Sequence, residues 1–163
     1  ADLTAFVPGR PLDDDGSVLL RFNNGAKGVL TASQICTGEE NALMIRIYGE
    51  HGGLEWHQME PNTLTIHWLD KPIEIRRTGN AYMSSIAKYS TRVPAGHPEG
   101  YIEAFANIYR NVATCIQHRL AGTKPPAEAL DFPTVYDGLR GMKFIDALIE
   151  SNQSNQKWTK LVE

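Results

Sequence analysis

Cysteine is scarce: the 163 residues include only Cys36 and Cys115, and no C-x-x-C pair. A disulfide framework is therefore excluded as the organising device, and a reducing compartment, the cytoplasm, is the default setting. No apolar run approaches the roughly 20 residues that span a bilayer, and Ala1-Asp2-Leu3-Thr4 lacks the character of a signal peptide. Charge of one sign is missing too. Sixteen Lys and Arg oppose 19 Asp and Glu, for a formal net charge of −3. The adjacent basic pair Arg76-Arg77 is too small to track a phosphate backbone, so neither nucleic acid nor membrane is an expected partner.

Chemical motifs are absent as well. No G-x-G-x-x-G follows a strand and no P-loop is present; Gly49, Gly52 and Gly53 have the wrong spacing and precede a strand. This chain alone is expected to bind no dinucleotide. There is no G-x-S-x-G elbow, and neither cysteine sits in a reactive motif. His57 and His67 lie near Glu55, but no H-x-x-x-H or H-E-x-x-H pair supports them as metal ligands. His97-Pro98-Glu99 matches half of the zinc deaminase signature, and the P-C-x-x-C half is missing. No metal site and no catalytic residue are expected within the chain.

What remains is an ordinary globular composition, 42% apolar and 21% charged. The length fits a single domain, residues 1–163, able to bury roughly two-thirds of its unfolded surface. Turn signals cut the first half into short strands. Ser17–Phe22 runs into Asn23-Asn24-Gly25, a hairpin signal because Asn and Gly tolerate positive φ, and returns over Gly28–Ile35. Ala42–Tyr48, Leu54–Gln58, Leu64–Trp68 and Ile73–Arg76 continue a meander, and strands joined by short turns imply antiparallel pairing.

After an irregular stretch, 78–96, the period changes to helical. Pro98 occupies a first helical position, and Tyr101, Phe105, Ile108, Val112, Cys115 and Ile116 recur on one stripe as far as Gly122. Thr134 opens a second helix in a Thr-x-x-Asp variant of a capping box, with Val135, Leu139, Met142, Ile145 and Ile149 as its stripe. Lys157–Leu161 reads as a short edge strand. The order, strands then helices, predicts an α+β fold: a mainly antiparallel open sheet with helices packed on one face. Trp56, Trp68, Tyr48 and Met44 exceed what two helices can cover, so the open face is expected to form an interface.

The segment Gly96-His97-Pro98-Glu99-Gly100-Tyr101 is the candidate binding site. Free N–H groups at a helix start favour negative or hydroxyl-rich ligands, and His97 there can offer a ring nitrogen to a hydroxyl. The other reading of the same spacing is that His97 caps its own helix and Glu99 complements the dipole.

Four segments, in order, resemble the C-terminal domains of the Gfo/Idh/MocA oxidoreductase family, which are dihydrodipicolinate-reductase-like in fold. They are Gly25–Ser33; Ile47-Tyr48-Gly49 with Gly52–Trp56; Gly96–Tyr109, which is similar to the levoglucosan-dehydrogenase-like branch; and Asp131–Thr134 with Asp137–Arg140. The resemblance covers about Ser17 to Leu161. It implies a two-domain enzyme in which a preceding Rossmann domain binds NAD or NADP and the sheet domain shapes a site for a sugar or polyol. It also implies that the acid/base lysine of an E-K-P motif and the histidine of a D-x-x-x-H motif lie outside this chain. The residues carried over are His97, Arg92 and Tyr101 for substrate, and Trp56, Trp68 and Tyr48 for a homodimer or homotetramer. Ala1 is not an initiator methionine, which favours a piece of a longer enzyme over the alternative, a freestanding binding or dimerisation module. A small hydrolase or isomerase would need a convergent acid/base pair that the sequence lacks.

Overall fold

The computed structural model describes residues 1–162. Seven strands and three helices follow in order: β1 Asp2–Thr4, β2 Asp15–Arg21, β3 Lys27–Ser33, β4 Met44–Tyr48, β5 Gly52–His57, β6 Thr63–Trp68, β7 Glu74–Arg77, α1 Ser85–Ser90, α2 Tyr101–Leu120 and α3 Val135–Gln153. A 3-10 turn, Ala127–Leu130, separates the last two helices. The class is α+β and every strand pair is antiparallel. One meander was expected, but the strands form two sheets, β1-β2-β3 and β4-β5-β6-β7. The chain divides into two compact units, residues 1–40 with 133–163 and residues 41–132.

In the first unit the β2–β3 hairpin forms where the Asn-Gly signal placed it. Gly25 takes φ +88° and Asn24 does not go positive; its side chain instead accepts from the Ala26 N–H at 3.1 Å. The three-residue β1 carries no readable period and was not anticipated. It pairs Leu3 with Gly16, and the end of α3 ties it down: Leu3 N–H donates to Asn152 Oδ1 at 2.8 Å. The expected strand at 157–161 does not form. Trp158 instead lies under the Arg21 guanidinium, 4.1 Å from ring centre to Cζ, so the tail docks by a side chain and not by a ladder. Val18, Phe144, Leu148, Trp158 and Leu161 help line a groove of about 1190 Å³.

In the second unit the register puts Ile45, Ile47, Leu54, Trp56, Leu64, Ile66 and Trp68 on one face of the sheet, and Met44, Arg46, Tyr48, Glu55, His57, Thr65 and His67 on the other. Trp56 and Leu64 share a 310 Å³ cleft with Tyr82, Met83 and Ala87, so the tryptophan face is the one that α1 approaches. The six-residue α1 falls in the stretch read as irregular; Ser84 caps it, accepting from Ala87 N–H.

Helix α2 departs most from expectation. It starts at Tyr101 with Gly100 as N-cap, not at Pro98. The Gly100 N–H donates to the Glu103 carboxylate at 2.9 Å, which holds that carboxyl below its usual range. The side of α2 that seats within the unit is polar. Asn107 Nδ2 donates to Ser90 O at 2.6 Å, Arg110 to Tyr89 O at 2.7 Å and Asn111 Nδ2 to Asp131 O at 3.2 Å. The apolar stripe expected to be core is exposed at Tyr101, Phe105, Ile108, Val112 and Ile116. Among the described residues only Val18, Ile66 and Ala129 are buried apolar side chains.

Candidate functional site

Arg92 and His97 lie on the segment between α1 and α2, and Tyr101 is the first residue of α2. Pro94 starts a tight turn in which its carbonyl accepts the His97 N–H at 3.2 Å. The His97 ring Nδ1 lies 3.2 Å from the same carbonyl. A carbonyl oxygen only accepts, so this geometry puts the ring proton on Nδ1 and leaves Nε2 of the neutral ring as an acceptor. His97 is exposed, and Nε2 can take a hydrogen bond from a ligand hydroxyl. Because α2 starts four residues later, His97 neither caps the helix nor draws on its dipole. Glu103 fills the capping role.

Glu99 closes the segment into a loop. Its carboxylate accepts the Arg92 main-chain N–H at 2.6 Å. The Arg92 Nε donates to Asn107 Oδ1 at 3.0 Å, which leaves the two terminal guanidinium nitrogens unbonded among the described residues. At the far end, Asn62, in the turn between β5 and β6, meets Glu99 with both ends of its carboxamide. Nδ2 donates to Glu99 O at 2.7 Å, and Oδ1 accepts Glu99 N–H at 3.2 Å. Thr78 Oγ1 donates to the same Oδ1 at 2.9 Å. Tyr101 is exposed, with its ring packed on Phe105 at 4.8 Å and 46°; no hydrogen bond joins it to His97 or Arg92 among the described residues. Asn62 and Thr78 were not singled out from the sequence, and Glu99 was weighed there only as a complement to the helix dipole. Asn62 carries no local signal of this role, and its partner Glu99 lies 37 positions away.

The interface candidates separate. Trp56 is half-buried and donates Nε1–H to Pro61 O at 3.0 Å. Trp68 shares its face, donates to Glu74 at 3.2 Å and carries Lys71 over its ring at 5.2 Å. Tyr48 lies on the opposite face, 76% exposed, beneath the Arg46 guanidinium at 5.4 Å. Glu55 anchors that second face: His57 Nε2 and His67 Nε2 lie 2.7 and 3.0 Å from its two oxygens, with Arg46 at 3.3 Å. The His57 hydrogen bond, then that of His67 and the charge of Arg46, hold Glu55 below the usual carboxyl range against some desolvation.

The glycine cluster Gly49, Gly52 and Gly53 serves the β4–β5 turn and its strands. Gly49 N–H bonds Gly52 O at 2.8 Å in the β4–β5 turn. A Cβ on Gly52 would stand 2.5 Å from His67 O, so that glycine serves close strand approach.

An antiparallel α+β architecture of this kind is that of the C-terminal alpha/beta domain of one oxidoreductase family. The chain belongs to that family: residues 3–161 match the model described as the oxidoreductase family, C-terminal alpha/beta domain, of the Gfo/Idh/MocA group. It is 43% identical to an oxidoreductase from Sinorhizobium meliloti, with a TM-score of 0.90, over 98% of this chain and 44% of that one. An inositol dehydrogenase homolog from Azotobacter vinelandii, solved with NAD+, is 27% identical with a TM-score of 0.87, over 98% and 41%. An uncharacterized oxidoreductase of Bacillus subtilis (strain 168) is 31% identical over 160 residues, 98% of this chain and 41% of that protein. The chain thus spans under half the length of these relatives. Levoglucosan dehydrogenase, at 20% identity and a TM-score of 0.69, shares the fold.

Proposed function

We propose that this chain is the substrate-side domain of an NAD(P)-dependent oxidoreductase acting on a sugar or polyol, with hydride transfer residing in a preceding Rossmann domain. The observation that carries this reading is the orientation of His97, whose Nδ1 is engaged and whose Nε2 is open to a hydroxyl. The relatives support it: the Azotobacter vinelandii homolog was solved with NADH and myo-inositol. His97 orients substrate, Arg92 offers its terminal nitrogens to ring oxygens, and Tyr101 provides an apolar wall for a sugar face. NAD or NADP is held by the other domain.

His97→Ala in the two-domain enzyme is expected to raise KM, or lower kcat/KM, by about 1–3 kcal/mol, the cost of an unmade polar contact. Cofactor affinity is expected to stay the same. A fall in melting temperature with intact kinetics would instead assign His97 a purely structural role. Titration calorimetry of NADH into the 163-residue chain is expected to show no binding, and a micromolar dissociation constant would overturn that part.

The same reading includes assembly, as a homodimer or homotetramer, through the open face of the four-stranded sheet. Support comes from Met44 and Tyr48, which stand exposed on the face opposite α1.

A further inference from the structure

We infer that Asn62 is a positioning residue for the ligand-facing loop, acting on His97 through Glu99. The inference rests on the reading of His97 as a substrate contact. Asn62 exchanges two hydrogen bonds with one residue, donating to Glu99 O at 2.7 Å and accepting from Glu99 N–H at 3.2 Å. That is the pattern of a hydrogen-bonded pair in an antiparallel ladder, supplied here by a side chain. It joins the loop to the sheet without a strand.

The carboxamide is itself fixed in orientation. Thr78 Oγ1 donates to Asn62 Oδ1 at 2.9 Å, and Thr78 N–H donates to Asn62 O at 3.1 Å. Oδ1 therefore receives two donors and Nδ2 faces a carbonyl, the only assignment in which every partner is complementary. Three of these four contacts are part-buried, where an unmade hydrogen bond costs most.

Glu99 passes the constraint on. Its main chain is held by Asn62 and its carboxylate by the Arg92 N–H at 2.6 Å. Both ends of the 92–99 loop thus meet at one residue. Pro98 lies between Glu99 and His97, and its ring fixes φ there. Few free torsions remain between the clamp and the imidazole, so the loop is ordered before ligand arrives and less entropy is lost on binding.

The sharp probe is Asn62→Asp, which keeps the shape but replaces the Nδ2 donor with a second carboxylate oxygen facing Glu99 O. Thr78→Val is the milder second variant, removing only the donor that orients Oδ1. Both are made in the two-domain enzyme and assayed with NAD+ and a polyol panel headed by myo-inositol. Amide exchange is followed over residues 92–104.

Asn62→Asp is expected to speed exchange at Glu99 and Gly100 and to raise KM roughly tenfold, the scale of one lost buried hydrogen bond. The turnover number is expected to stay within about twofold, as for a group making no transition-state contact. Thr78→Val is expected to do the same more weakly with the melting temperature preserved. Asn62→Asp combined with His97→Ala is expected to be worse than His97→Ala alone by clearly less than the effect of Asn62→Asp by itself, because the clamp then has only Arg92 and Tyr101 left to position.

If His97→Ala raises KM but Asn62→Asp changes neither exchange nor KM, the clamp is wrong and the substrate reading stands. Additive effects in the double variant would also overturn the clamp. If Asn62→Asp loosens the loop and neither variant changes KM, the substrate reading fails, and the role of Asn62 in recognition fails with it.

Discussion

Asp14 is buried at 4% exposure beneath the connection between β1 and β2. Its two oxygens accept the Phe6 N–H at 2.8 Å and the Val7 N–H at 3.0 Å, and the Arg10 guanidinium joins at 3.2 Å. The Phe6 hydrogen bond, then those of Val7 and Arg10, hold the carboxyl below its ordinary 3.8 against desolvation. A lowered folded value means that the charged form is the bound form. Its stabilisation is complete above the unfolded value, near pH 4, and disappears as the pH falls through the native one. Asp14→Asn is therefore expected to lower the melting temperature at pH 7, and the gap from wild type is expected to narrow as the pH falls below about 4. A gap that stays constant across that range would rule out the charge as the cause. Nothing in the sequence marks Asp14 out from Asp13 and Asp15 beside it; only the fold turns one of the three inward.

Among the elements, the β2–β3 hairpin and α3 were legible because their signals are local. At the start of α3 the Thr134 N–H and hydroxyl both donate to Asp137 Oδ2, at 2.8 and 2.7 Å. Asp thus takes the role that Glu usually plays in the capping box. Thr134→Ala is expected to cost about 1 kcal/mol, read as a lower denaturant midpoint at constant slope. The start of α2 was misread because Pro98 is a strong local signal, whereas the true cap is a glycine served by Glu103. His97, Arg92 and Tyr101 were legible as one segment. What holds that segment was not, since Asn62 and Glu99 meet only once the sheet is folded. Helix α1 and strand β1 are too short to show a period.

Gly79 also escaped the sequence reading. It has φ +78°, and a Cβ there would lie 2.5 Å from Ala95 N and 2.8 Å from its Cα. Both obstacles are main chain and cannot rotate aside, so Gly79→Ala must strain its own backbone or push the 94–97 turn away from the sheet. A loss of about 1–3 kcal/mol is expected, and in the two-domain enzyme a raised KM should accompany it. Destabilisation without any kinetic change would show that the turn can shift without moving His97.

At the scale of the whole molecule, the three aromatics proposed for assembly do not form one patch. Trp56 is engaged with Pro61 and the α1 side, whereas Tyr48 stands on the opposite face. Tyr48→Glu is accordingly the cleaner probe of self-association. Sedimentation equilibrium is expected to show association weakened by about 2 kcal/mol or more, as for a central anchor. Trp56→Glu is expected to register first as lost stability. A monomer at high micromolar concentration in the unmodified chain would dismiss this interface.

Helix α2 is seated by directional contacts from Asn107, Arg110 and Asn111, which fix its rotation and leave Ile102, Tyr109 and Leu120 facing outward. Selection on this helix is therefore divided between its two sides. A substitution library scored for folding of the 163 residues alone would find the greasy side permissive and the hydrophilic side intolerant, the reverse of the usual rule for an amphipathic helix. Scored for the working enzyme, the same library would lose that permissiveness wherever another surface covers the greasy side. The difference between the two maps would outline that contact residue by residue without a second structure.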